Sequence, residues 1–286
     1  MGRVFCRWRY TSSSSVNKIF GVCLIAAVTG SSTASDLQVD HVTIAGRDLK
    51  VMQAEFARAG IRTEYGGKHT NGLTEMALAS FADGSYLELI AAQDPSVGSP
   101  QHYWGKFIDG NAGPCAWAIR QDDLAGAAKR LGANVTTGGR HRPDGVALQW
   151  HSASIGPEAQ GTFFPFMIHD DTDRALRAYP TGKPTMPEWQ GVAEVYIAVR
   201  NLDAAVKRYR QTFQLAEPVK AFDKALAAET ASFPGTPVLL AAAQSGWIAD
   251  RLKEFGEAPC AFVIATSGGH PKVRWLNIEG MHIGVR

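Results

Sequence analysis

The chain has 286 residues, with 29 basic and 27 acidic side chains. Residues 1–35 hold four of the basic ones and no acidic one, which leaves 25 basic against 27 acidic in the rest. That balance excludes a global electrostatic case for nucleic acid or an anionic surface, and roughly 250 residues suffice for one large domain or two modest ones, each with a real core.

In chain order, Arg3, Arg7, Arg9 and Lys18 make a basic start, Ile19 to Val28 a short apolar run, and residues 31–35 a small-residue stretch. This order predicts an export signal over 1–35 and a periplasmic or secreted protein. The run is shorter than the roughly 20 residues a membrane span needs, so no stable span is expected. The alternative is an uncleaved, loosely anchored tail.

Asp40-His41-Val42-Thr43-Ile44 reads as a strand with Val42 and Ile44 on one face and His41 and Thr43 on the other. A helix follows, with Leu49, Met52, Phe56 and Ala59 at helical spacing and Asp48 at its start. Strands over 73–81 and 85–91 then flank an Asp83-Gly84 turn. In the second of them Tyr86, Glu88 and Ile90 share a face. If the aliphatic faces pack on the helix, His41 and Glu88 look the other way together, as an imidazole and a carboxylate able to share a divalent cation. The plain alternative is a solvated Glu and a hydrogen-bonded His.

The pattern repeats. Residues 114–119, Pro-Cys-Ala-Trp-Ala-Ile, recur as Pro-Cys-Ala-Phe-Val-Ile at 259–264, an offset of 145. Gly66-Gly67-Lys68-His69 recurs as Gly138-Gly139-Arg140-His141, and 41–45 resembles 194–198. Such self-similarity at about 70 residues predicts four related units in two pairs, not a solenoid. Helices are expected near 124–131 and 202–213, and strands over 146–153 and 162–168. Pro180, Gly182, Pro184 and Pro187 make 172–187 a poor helix and a poor strand. Only 26 residues follow Cys260, too few for a helix and three more strands, so the second pair is incomplete. Cys115 and Cys260 lack a close-spaced partner, and their equivalent places in the repeat predict two separate buried thiols.

Among residues able to do chemistry, His69 and His141 stand in equivalent predicted turns after a Gly-Gly pair. Either caps its turn or faces a cavity, where a neutral imidazole is a base or a third ligand. Arg140 and Arg142 suit a substrate carboxylate or phosphate, or are surface charges. Phe164 and Phe166 align with Tyr86 and Glu88, which makes that wall apolar and suited to a greasy or aromatic ligand.

A duplicated strand–helix–three-strand unit carrying these motifs over about 130 residues resembles the glyoxalase-like domain proteins of the vicinal-oxygen-chelate superfamily. The resemblance implies an α+β fold, with paired βαβββ modules whose curved mixed sheets enclose a cavity. With the signal (1–35) and the Pro- and Gly-rich linker (171–187) read above, it gives a glyoxalase-like domain (36–170) and a second, degenerate domain (188–286). It implies metal ligands at His41 and Glu88, with Glu88 also moving a proton and His69 as base or third ligand. A divalent metal (Zn, Ni, Mn or Fe) would serve a lyase or isomerase acting on vicinal oxygens. Substrate contacts would come from Arg140, His141, Arg142, Phe164 and Phe166. Ala116 and Phe166 stand where the second unit's ligands would be, as Glu194, Leu239, Ala261 and Gly284 do in the second half. That departure supports a metal-free small-molecule binding or sequestration protein as the alternative. The expected partners are a small molecule and a second copy in a homodimer, not nucleic acid.

Overall fold

The computed structural model describes residues 37–269 and 272–286. The first half runs β1 (Val39–Ala45), α1 (Leu49–Arg58), β2 (Glu64–His69), β3 (Thr74–Ser80), β4 (Tyr86–Ala92), α2 (Gly105–Asp109), β5 (Gly113–Arg120), α3 (Leu124–Leu131), β6 (Val135–His141), β7 (Ala147–Ala153) and β8 (Phe166–Asp170). After α4 (Arg174–Ala178) come β9 (Trp189–Ala198), α5 (Leu202–Phe213), β10 (Val219–Asp223), β11 (Ala228–Ser232), β12 (Val238–Ala242), α6 (Trp247–Phe255), β13 (Ala258–Thr266), β14 (Arg274–Ile278) and β15 (Met281–Val285). No helix among the described residues is long and apolar enough to cross a membrane.

Asp48, Asp123 and Asn201 cap α1, α3 and α5, each accepting from backbone N–H groups of the first turn. The Asp83-Gly84 turn is closed by Asp83 Oδ1, which accepts from Ser85 N at 2.7 Å, with Gly84 at φ +80°. Alternation puts Val42, Ile44, Leu87 and Leu89 against Met52 and Phe56 of α1, all in one core.

The first eight strands close into a barrel of order β1-β4-β3-β2-β6-β7-β8-β5. The other seven form an open sheet, β10-β11-β12-β9-β13-β15-β14. Matched strand by strand, the second sheet lacks the counterpart of β6, which closes the first. Among the described residues no helix lies between β13 and β14. This is the α+β architecture of paired curved sheets, the second short of one strand. Arg251 of α6 joins the sheets, donating to the carbonyls of Ala112, Pro114 and Pro259. Cys115 and Cys260 are both buried free thiols.

Three sequence expectations change. The Gly-Gly pairs are not turns: they lie inside β2 and β6, the strands that close the barrel through Lys68↔His141 and His69↔Arg140. A Cβ on Gly67 (φ +113°) would stand 2.1 Å from the His141 carbonyl oxygen, and one on Gly138 would stand 2.3 Å from the Trp150 indole nitrogen. The glycines are there for close approach. The stretch 172–187 contains α4, capped by Asp173 and ended before Pro180. The strand expected over 162–168 begins only at Phe166, after Pro165, which has no N–H to give a ladder.

Candidate functional site

The barrel encloses a cavity of about 360 Å³. His41 comes from β1, Tyr86 and Glu88 from the neighbouring parallel β4, with His41↔Tyr86 and Thr43↔Glu88 in register. His69 reaches the same space from the end of β2. The Glu88 carboxylate lies between the two imidazoles: Oε2 is 3.6 Å from His41 Nε2 and Oε1 is 3.5 Å from His69 Nε2. Thr43 Oγ1 donates to Oε2 at 3.0 Å. Glu88 is 6% exposed. Burial alone would raise its pKa. The His69 hydrogen bond, the charge interactions with both histidines and the Thr43 hydroxyl outweigh burial and bring it down to about 2.

Each imidazole is held through its other nitrogen. Asp40 Oδ1 lies 2.6 Å from His41 Nδ1, and Thr74 Oγ1 lies 2.9 Å from His69 Nδ1. Burial would raise the Asp40 carboxyl too, but Arg177, the His41 hydrogen bond and Arg174 hold it well below the usual carboxylate range. An ionised carboxylate only accepts, so His41 Nδ1–H donates to Asp40 and the ring turns Nε2 toward Glu88. Tyr86 stacks on the His41 ring with centroids 4.8 Å apart, and Phe166 meets it edge-on at 5.4 Å.

Arg140 is 1% exposed and lines the cavity. It donates to the carbonyls of Gly66 and Arg177, and no carboxylate among the described residues is in ion-pair range of it. Burial lowers its pKa to about 10, which leaves it charged. Register explains the neighbouring residue. Paired residues on antiparallel strands point to one side, so Arg140, opposite His69, enters the cavity, whereas His141, opposite Lys68, is exposed outside. Arg142 is outside as well, donating to Asp144 and the carbonyls of Leu176 and Pro180. Phe164 precedes β8 and packs on Tyr209 and Phe213 of α5, at 5.0 and 5.6 Å, so only Phe166 of that pair lines the cavity.

Several cavity residues carried no readable signal. His102 and Trp104 come from the irregular stretch before α2. His102 Nδ1 accepts from Trp104 N at 3.1 Å, which leaves its proton on Nε2. Burial, with a contribution from His69, lowers its pKa to about 4 despite Glu88. Trp150 of β7 is half-buried on the cavity wall, and Arg177 arrives from α4.

The donors suit a divalent cation in kind: an imidazole Nε2 and a carboxylate oxygen, with the imidazole's other nitrogen engaged. They do not make a closed cage, since no group of three His, Cys, Asp or Glu among the described residues could hold a metal ion. His41 and Glu88 are the pair that could share one, 3.6 Å apart.

Residues 39–213 match the model of the glyoxalase-like domain. The chain belongs to the glyoxalase-like domain family. A hypothetical protein from Staphylococcus aureus shares the fold of this glyoxalase-like chain at TM-score 0.63 and 12% identity, over 87% of this chain and 99% of that one. A xylose isomerase-like TIM barrel/4-hydroxyphenylpyruvate dioxygenase fusion protein aligns at TM-score 0.45 and 16% identity, over 80% and 36%. A Streptomyces coelicolor methylmalonyl-CoA epimerase aligns at 0.36 and 17%, over 48% and 99%. No curated protein matches.

Proposed function

We propose that this glyoxalase-like protein binds a small anionic molecule with two adjacent oxygens in the barrel cavity and acts on it as a lyase or isomerase. The placement of Glu88 between two oriented imidazoles carries this reading. Arg140, buried and without a carboxylate, pairs with a substrate carboxylate or phosphate, and Phe166 covers an apolar part of the ligand. His41 and Glu88 would hold a divalent cation (Zn, Ni, Mn or Fe), with the substrate filling the remaining positions. When bound, the cation supplies Lewis-acid stabilisation of an enolate or a polarised carbonyl.

Glu88 and His69, with Oε1 and Nε2 3.5 Å apart, form the pair that takes up and returns a substrate proton. His102 offers a neutral N–H to the cavity. The basic, apolar and small-residue order of residues 1–35 supports placing this activity outside the cytoplasm.

A second reading is a metal-free binding protein. Ala116 and Phe166 favour it, since both stand near His41 and neither side chain can bind a metal. Metal analysis of the purified protein, with titration of zinc, nickel, manganese and iron into wild type, His41→Ala and Glu88→Ala, separates the two. The first reading expects binding that both substitutions abolish. Wild type that binds none of the four metals sinks the metal-dependent activity and leaves the binding protein.

A further inference from the structure

Arg177 arrives from α4, outside both sheets, yet it is 2% exposed and sits beside the site. Its guanidinium forks onto Asp40, with Nη1 to Oδ1 at 3.1 Å and Nη2 to Oδ2 at 2.9 Å. It also donates to Asp170 at the end of β8, with Nη2 to Oδ2 at 2.9 Å, and to the Tyr86 hydroxyl. One side chain thus ties β1, β4 and β8. Asp40 is fully buried. Its Oδ1 accepts from His41 Nδ1, and its Oδ2 also accepts from Arg174.

We propose that Arg177 is a positioning residue: its two-point grip on Asp40 fixes the carboxylate plane and thereby fixes which nitrogen of His41 faces Glu88. A fork contact sets orientation as well as distance. With both Asp40 oxygens held, Oδ1 stays in line with His41 Nδ1, and the stack on Tyr86 is held by the same guanidinium through the phenol oxygen. The acceptor at Nδ1 decides the tautomer. The connector between the two sheets is in this way part of the site, and the polar cluster of the barrel depends on a helix beyond its last strand. The inference deepens the reading above, because it bears on chemistry only if His41 faces the reacting molecule. Its readout does not need that reading.

The test is 15N-histidine NMR on the full chain at one fixed pH, with His41 assigned by the signal lost in His41→Asn. Wild type should show a slowly exchanging, downfield Nδ1–H. Arg177→Met should lose that proton signal and broaden both nitrogens as tautomers interconvert. Arg177→Lys, which keeps charge without the fork, should restore it in part. Arg142→Met, which loosens α4 from the carbonyls of Leu176 and Pro180 without touching Asp40, should leave it in place. If Arg177→Met does not fold, Asp40→Asn replaces it and should move the Nδ1–H signal upfield. An unchanged His41 signal in folded Arg177→Met or Asp40→Asn overturns the proposal. So does equal loss in Arg142→Met, which would make the effect one of helix docking. Failure here with retained metal binding leaves the proposed function standing; the reverse result leaves Arg177 in its role and removes the function.

Discussion

The barrel and the open sheet share one strand plan, and among the described residues the barrel alone has a cluster of histidines around a buried carboxylate at its centre. Parallel pairing sets Thr43 beside Glu88 in the first and Tyr196 beside Leu239 in the second. Where the barrel has His41, the open sheet has Glu194, which accepts from the Tyr196 hydroxyl and pairs with Arg286. On the inner side of the open sheet, Tyr196, Ile248, Leu252 and Val263 form a core with α6, and Trp247 stacks on His282 at 3.9 Å. The same backbone therefore gives a cavity or a filled core according to a few side chains and one strand. Closure by β6 supplies Arg140 and places it opposite His69; the open sheet has no strand to do so.

The largest expected effect breaks closure itself. Gly67→Ala puts a Cβ against a backbone carbonyl at a left-handed residue, and should destabilise the chain by ~3 kcal/mol in urea denaturation. A change under ~1 kcal/mol would mean that β2 and β6 need not approach so closely.

Acid should act mainly on the barrel. His102 is lowered to about 4 in the folded chain, so between pH 6.5 and 4 the unfolded chain binds more protons, and stability falls as pH falls through that window. Up to ~3 kcal/mol is at stake, at ~1.4 kcal/mol per pKa unit. Glu88, lowered to about 2, contributes stability that is present above its ordinary pKa near 4.5 and is lost as pH drops toward 2. His102→Gln should flatten the upper part of the profile and leave the lower part, as read by thermal melts across pH. A profile unchanged by His102→Gln would contradict its buried neutral state.

The smallest effect belongs to the open edge. Phe222 on β10 is 62% exposed, and Phe222→Thr should shift stability by no more than ~0.5 kcal/mol in the same denaturation assay. A larger loss would show that this edge is covered in solution.

Much of this was legible in residue order. Strand alternation was enough to bring His41 and Glu88 to one face, and the internal repeats exposed the paired modules and the short second half. Residue order did not separate Arg140 from His141, because sequence equivalence to His69 says nothing about the register of β2 on β6. Pairing decides it, and a one-residue step reverses the face. Phe164 failed for a related reason: Pro165 delays the strand, so the alternation counted through it does not hold. His102 lies in a stretch with no periodicity. Arg177 acts across more than a hundred residues of sequence from Asp40, a distance that no local pattern spans.

The proposed function puts the reactive centre at Glu88 of the barrel and none in the open sheet. It is tested most directly by calorimetric titration of nickel and zinc into wild type and into Glu88→Leu, which copies Leu239 of the open sheet. Wild type should bind saturably, and the folded variant should lose at least about a hundredfold in affinity, in line with removal of one of two protein ligands. Equal binding by both proteins would place the metal elsewhere and contradict it.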